Sequence, residues 1–327
     1  MAKSIHEQVV LYLTDVHSIE VQALAQMRKA PDIAGDDRLA AIFREHEKET
    51  EEHEERVRER LEHLEAKPSL IKDLLGKVTG GGFVLFAKSQ PDTPGKLVAH
   101  AFSYEHMEFA AYELLIRVGE RAGDAPTVAL ARIIRAQEQT MGERLAGCFD
   151  VAVDASLREV APGDLSEQLN KYLADAHALE GQAIELLSKA EKIGGDPELQ
   201  QSYREHLEES REHQRLVAER LEARGGRPAV LKDAAMRLGA LNWGMFFQAQ
   251  PDTPAKLAGF AYAFEHLEIA GYELLKRVAE REGDGEVVDL ARRIGEQERA
   301  AARTVADGFD LAVDASLRDL GVAVGTR

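Results

Sequence analysis

Between Asp36 and Leu64 the apolar residues fall at Leu39, Ile42, Phe43, Val57, Leu61 and Leu64, the i, i+3, i+4, i+7 spacing of one buried helix face. The stripe has a gap, and in the gap stand His46, Glu49 and His53. A helix with this pattern turns two imidazoles and a carboxylate toward the core, where an unpaired charge costs several kcal/mol.

The same interrupted periodicity runs through the neighbouring segments. A first helix is expected over roughly Ser4–Lys29, with Val9, Leu13, Val16, Ala23 and Met27 on one face, Glu20 in the intervening slot and His17 three residues before it. Pro31 and Gly35 end it. The opening stretch is the second helix, with Asp36 or Asp37 as N-cap and its end before Pro68. A connection of more than 20 residues follows, holding a short helix at Ser69–Lys77 and the Gly80-Gly81-Gly82 run. The third helix opens at Asp92-Thr93-Pro94, with Thr93 as cap and Pro94 at its first position, and runs to about Arg121. Its stripe reads Leu97, Ala101, Tyr104, then Glu105 and Glu108, then Ala111 and Leu115. The fourth begins after Gly123-Asp124, carries Glu138 between Ile134 and Met141, and continues into Ala152 or beyond. Two antiparallel hairpins joined by one long crossover make a ferritin-like four-helix bundle; an up-down-up-down bundle with an overlong third loop is the alternative.

A shift of 160 residues aligns the two halves of the chain without a gap. YLTDVHSIE meets YLADAHALE, QPDTPGKL meets QPDTPAKL, and FDVAVDASLR meets FDLAVDASLR. The fold class is therefore all-α, as two tandem ferritin-like bundles over 1–160 and 161–327, joined near Val160–Asp164 and packed on each other as a pseudo-dimer. The shift carries the interrupting residues to His177, Glu180, His206, Glu209, His213, Glu265, Glu268 and Glu298. Nearby charges have drifted between the copies: Glu47, Glu51, Glu54 and Glu55 correspond to Leu207, Arg211, Gln214 and Arg215.

At 327 residues the chain suits two domains, and 44% apolar with 30% charged residues suits long solvated helices. The formal charge of −17 argues against nucleic acid or an anionic membrane as partner and leaves cations welcome. A single cysteine, Cys148, excludes an internal disulfide or thiolate cluster and points to a reducing compartment. The N-terminal MAKSIHEQVV lacks an apolar signal core, and no run of about 18 apolar residues is long enough to span a membrane. A cytoplasmic protein is expected.

Taken singly, each interrupting residue has an ordinary structural reading. A glutamate beside a stripe leans out to water, and a core histidine satisfies itself on a neighbour. Glu45, Glu52 and Glu59 read as solvated face, His106 and His266 as facing outward or bonding a neighbour, and Cys148 as a small core residue. One of Glu105 and Glu108 is expected to stand apart from the centre or in solvent. Coincidence decides the balance, because every helix of the bundle carries a glutamate near the midpoint of its apolar face. Four or five inward carboxylates stay ionised together only if cations neutralise them, and two divalent ions supply the charge. A carboxylate-rich set with imidazoles suits Fe or Mn, and no thiolates are offered for structural zinc. The chemistry expected of such a pair is Fe(II) oxidation by O2 or the handling of peroxide. A non-enzymatic helical scaffold with a metal-free polar core is the alternative. An iron-storage cage is weaker, since a fused pair already occupies a two-fold interface.

The HSIE stretch of the first helix, HEKET of the second and EHMEFAAY of the third, with a lone glutamate on the fourth, resemble the YciE/YciF-type ferritin-like stress proteins over nearly all of both units. The resemblance implies a carboxylate-bridged di-metal centre, an association with stress response, and Glu20, Glu49, Glu105, Glu108 and Glu138 as candidate ligands. The chain departs from the Glu-x-x-His pattern common to ferritin-like bundles. Its second helix reads His46-x-x-Glu49-x-x-x-His53, position 52 is Glu rather than His, and Met141 stands where the fourth helix would place a histidine.

Overall fold

Ser4 opens the chain's first helix with a reciprocal cap: its hydroxyl accepts the Glu7 N–H at 3.1 Å, and the Glu7 carboxylate accepts the Ser4 N–H at 2.7 Å. From there the computed structural model, which describes residues 4–66, 93–227 and 253–322, is helical, with no strand among the described residues. The first half contains α1 (Ile5–Met27), α2 (Ala30–Ile33), α3 (Asp37–His63), α4 (Thr93–Ala122), α5 (Ala125–Ala146) and α6 (Phe149–Leu157). After a 3-10 turn at Pro162–Asp164, the second half contains α7 (Leu165–Ile193), α8 (Pro197–Ala223), α9 (Thr253–Glu282), α10 (Gly285–Asp307) and α11 (Phe309–Asp319). The chain divides into two compact units, the second being Glu159–Leu320.

Side-chain pairs fix the directions within the first unit. Glu20 lies beside His53, and Arg28, which caps the end of α1, beside Glu51, earlier in α3, so α1 and α3 are antiparallel. Glu113 meets Arg135 and Glu120 meets Arg132, so α4 and α5 are antiparallel. His53 meets Gln137 and Arg60 meets Asp124, so α3 and α5 are antiparallel as well. Two helices that both oppose α5 run parallel to each other, which places the end of α3 and the start of α4 at opposite ends of the bundle. That is the crossover connectivity and excludes the up-down-up-down alternative. The expected short helix at Ser69–Lys77 and the Gly80–Gly82 run lie outside the described residues. The second unit repeats the pairing through His213 with Gln297, Arg220 with Asp284 and Glu273 with Arg299.

Each bundle closes on its own apolar stripe. Leu13, Phe43, Leu61, Leu115, Ile134 and Leu145 are wholly buried in the first, as are Leu173, Val217, Leu275 and Ile294 in the second. At one end Arg60 grips both Asp124 oxygens at 2.7 and 2.9 Å while its Nε donates to Thr127 Oγ1, and Asp124 also caps α5 by accepting the Thr127 N–H. Arg220 and Asp284 repeat this clamp in the second unit.

Four local expectations are corrected. Pro31 opens a one-turn helix rather than merely ending the first one; where Glu191 replaces it, α7 runs on to Ile193. The fourth helix does not run through to Ala152: it stops at Ala146, and a new helix starts at Phe149, whose buried ring meets Phe102 of α4 edge-on at 5.5 Å. Cys148, at that break, is half-buried rather than core, and its thiol donates to the Arg144 carbonyl. Thr93 is the first residue of α4, and the Gly95 N–H is capped from another helix, by the buried Ser156 Oγ of α6 at 2.9 Å. Ser316 does the same for Ala255. Close packing at this end also requires Gly35, whose φ is +68° and whose missing Cβ would stand 2.6 Å from Pro94.

Replacing Ser156 or Ser316 with alanine strands a buried helix N–H and should cost about 1–2 kcal/mol. A lowered urea midpoint with unchanged helical circular dichroism is expected; an unchanged midpoint would show that this cap is dispensable.

Candidate metal centre

The centre of each bundle is where the four interrupted stripes meet. Each contributing helix is long, so a residue near its midpoint lies far from either end and cannot reach water by leaning along the axis. In the first unit Glu20 of α1, His46 and His53 of α3, Glu105 and Glu108 of α4 and Glu138 of α5 are each at most 1% exposed. Their donor atoms form two overlapping groups, His46–Glu105–Glu108–Glu138 and Glu20–His53–Glu138, each within 4.8 Å. The second unit repeats both, as His206–Glu265–Glu268–Glu298 and Glu180–His213–Glu298.

The fourth-helix glutamate belongs to both groups. One Glu138 oxygen is 2.7 Å from His53 Nδ1 and the other 3.8 Å from His46 Nε2. Glu298 stands 2.8 Å from His213 Nδ1 and 3.6 Å from His206 Nε2. His46 Nε2 is also 3.2 Å from Glu105 Oε2, and His206 Nε2 is 3.0 Å from Glu265 Oε2.

Inward donors this close would ordinarily satisfy one another fully, and here only the close His–carboxylate approaches do so in part. Both oxygens of Glu105, Glu108 and Glu138, Glu20 Oε2, His46 Nε2 and His53 Nδ1 complete no hydrogen bond. A buried carboxylate oxygen without a partner costs of order 1–3 kcal/mol or more, so a fold with this many at one point requires something further to occupy them. The groups fit a pair of cations. Four carboxylates and two neutral imidazoles per unit carry about −4, which two divalent ions balance. The donors are oxygen and imidazole nitrogen, and Cys148 lies at the far end of α5. Such a set has the character of Fe or Mn ligation rather than that of a thiolate zinc site.

Burial and mutual repulsion show in the protonation behaviour. Desolvation, then the charge of Glu138, pushes Glu20 up to about 8. Burial and the neighbouring carboxylates raise Glu108, Glu180 and Glu268 well above the ordinary range, and Glu265 stands at about 7. Burial opposes charge on His46 and His53, yet the adjacent Glu105 and Glu138 carboxylates outweigh it and hold both imidazoles above their usual value.

The structure separates the sequence-expected residues into two sets. Glu20, His46, His53, Glu105, Glu108 and Glu138 come together, with Glu180, His206, His213, Glu265, Glu268 and Glu298 in the second unit. Glu105 and Glu108 are both inside, so the expectation that one stands apart is corrected: three residues along one helix turn, they share the inward face. Glu49 and Glu209 stay outside. Their side chains are 46% and 52% exposed, and each Oε2 lies 3.2 Å from Nδ1 of His46 or His206, on the side of the ring facing away from the donors. The reason is helical rotation: His46, position 50 and His53 share the inward face, and Glu49 falls at its edge. The inward slot belongs to Thr50 and Ser210, buried hydroxyls that donate to the carbonyls of His46 and His206. His17 is buried but turns to α3, where its Nε2 meets Glu54 at 2.8 Å. His106 and His266 bond the carbonyls of Phe102 and Tyr262, as expected of residues off the stripe.

Sequence reasoning gave no role to two tyrosines. Tyr112, 1% exposed, donates its hydroxyl to Glu20 Oε1 at 2.5 Å, and Tyr272 donates to Glu180. Each phenol ties one oxygen of the first-helix glutamate and leaves the other aimed at the group. The signal was present, since Tyr112 follows Glu108 by four residues on the same helix face and the spacing recurs at Glu268 and Tyr272.

An all-α bundle with carboxylates and histidines converging at mid-height is the architecture of ferritin-like proteins. The chain belongs to the family described as domain of unknown function DUF892, whose profile matches residues 4–158 and again 164–317, and that family is ferritin-like. No solved structure matches the chain. No helix among the described residues is long and apolar enough to cross a membrane.

Raised carboxylates and raised imidazoles act with the same sign on stability. Between 4.5, the ordinary value, and about 8, native Glu20 holds a proton that the unfolded chain has released, and His46 and His53 extend the effect above 6.5. This stabilisation is complete below the unfolded values and is lost as pH rises through the folded ones. Carboxylates held low, such as Glu273 at about 2, act only in more acidic solution. His100 and His106, which burial lowers to about 4, act with the opposite sign up to their ordinary value of 6.5, so metal-free protein in chelator should show a Tm that falls from about pH 6.5 to about pH 8. A Tm that rises over that interval would contradict the burial of these groups.

Proposed function

We propose that each unit is a di-metal redox centre of Fe or Mn, bridged by Glu138 in the first unit and Glu298 in the second, and that it oxidises Fe(II) with O2 or consumes peroxide. The observation that carries this reading is the set of buried donor atoms without hydrogen bonds, arranged as two groups that share one carboxylate. The resemblance of the HSIE, HEKET and EHMEFAAY stretches to the YciE/YciF-type stress proteins supports a role in stress response. The net charge of −17 and single cysteine suit a cation-handling protein of a reducing, cytoplasmic setting.

When bound, a metal pair of this kind supplies two one-electron oxidations, which together match the two-electron reduction of peroxide to water. The chain's own residues do the rest. Glu105, Glu108 and His46 would make a four-donor position with Glu138, while Glu20 and His53 would make a three-donor position with the same residue. Tyr112 holds Glu20 in orientation through Oε1. Leu13, Phe43 and Ile134, all wholly buried, keep bulk water from the group and so strengthen the electrostatic interactions inside it. The Glu20 and Glu108 carboxyls give up their protons as cations arrive, so loading releases acid and tightens as pH rises.

Elemental analysis of protein from Fe- or Mn-supplemented cells should find about four ions per chain, two for each pair of groups. Glu138→Ala should halve the count, and adding Glu298→Ala should abolish it together with O2 uptake on Fe(II) addition, helicity being retained. Fully folded wild-type protein that carries no metal and leaves the Fe(II) oxidation rate at that of buffer would end this reading.

A further inference from the structure

A cation bound for the centre must cross from water to donors that are nearly all 3% exposed or less, and the structure narrows where it can do so. Three of the donors have a polar neighbour on the side away from the centre. Glu20 leads to the buried Tyr112. His53 leads through Nε2 to the neutral, half-buried amide of Gln137 at 3.2 Å. His46 leads through Nδ1 to Glu49, a carboxylate 46% exposed. The contact to Gln137 crosses from α3 to α5, and Glu49, which feels the charge of Arg144 of α5, stands on the same side of α3; of the two outer groups only Glu49 is a carboxylate. The second unit repeats the arrangement, His206 leading to Glu209 and His213 to Gln297.

Resting on the di-metal reading above, we propose that the α3–α5 seam, with its counterpart α8–α10, is the route by which divalent cations reach the centre. Glu49 and Glu209 act there as relay carboxylates that receive the ion from solvent and deliver it to His46 and His206. A cation shedding its water shell in a low-dielectric core pays a large desolvation penalty unless opposite charge accompanies it. A carboxylate half in water and one contact from the innermost imidazole offers that charge midway. Stability gives little reason to keep such a residue, since a half-exposed contact of this kind contributes about 0–1 kcal/mol. Both copies carry it, Glu49 and Glu209 each standing 3.2 Å from the same nitrogen of the corresponding histidine. A ligand of the finished centre would have to point inward; a relay must face both ways.

The test is stopped-flow loading of metal-free full-length protein with Co(II), read by its visible absorption, with the endpoint count taken separately by equilibrium dialysis. The double variant Glu49→Gln, Glu209→Gln should load at least about tenfold more slowly. It should reach the wild-type count and affinity, and it should lose the slowing by salt that wild type shows. A control, Glu59→Gln with Glu219→Gln, removes the same charge from the same helices away from the seam and should load as wild type does. Loading of the Glu49/Glu209 variant at the wild-type rate overturns the relay, as does a lowered count or affinity at equilibrium, which would make these residues ligands or orienters of the imidazole. Wild type that binds no Co(II) at equilibrium overturns the di-metal reading itself, a result separable from either of the others.

Discussion

Repulsion among buried carboxylates is the constraint on which the rest of this architecture depends. Glu20, Glu105, Glu108 and Glu138 meet in a dry bundle interior, and Glu180, Glu265, Glu268 and Glu298 do so again. An apolar core of the same volume would be more stable than such a group left without cations. The bundle therefore pays for its centre elsewhere, and the supporting contacts show where. The Arg60–Asp124 clamp, the Ser156 cap on α4 and the Phe149–Phe102 contact are all set toward the bundle ends, while the middle is given over to charge.

Around that charge the chain builds a graded shell. Tyr112 and Tyr272 fix the first-helix glutamates through one oxygen each and leave the other free. Thr50 and Ser210 fill the inward slot between the two histidines with a small side chain whose hydroxyl is satisfied on its own helix, so that neither competes with the donors above and below it. Glu49 and Glu209 stand at the rim, touching the imidazoles from behind. Orientation, space and outward contact are thus handled by different residues, and the duplicated unit keeps all of them while much of its surface charge has changed.

What the sequence made legible followed from periodicity. A glutamate at 20, 105, 108 or 138 interrupts an apolar stripe that runs on both sides of it, so burial could be read from the neighbours. The same rule misjudged Glu49, because 46, 49 and 53 look evenly spaced in a list of positions while the true inward set on a 3.6-residue helix is 46, 50 and 53. Thr50 gives no signal of its own, since a threonine inside a helix carries no charge to explain. Tyr112 stands within the EHMEFAAY stretch, but its phenol acquires a role only once the partner helix brings Glu20 to it. The break at Gly147–Cys148 was equally hidden: the residues around it suit a helix, and packing of Phe149 on α4 decides where the axis changes.

The central claim is that these carboxylates are held together by cations shared through the fourth-helix glutamate. Anomalous diffraction at the iron and manganese edges, from crystals of the protein grown with either metal, addresses it most directly. The account predicts two peaks in each bundle, one on either side of the Glu138 carboxylate and likewise of Glu298. Well-ordered bundles without such peaks, with water or turned-out carboxylates at the centre, would contradict it.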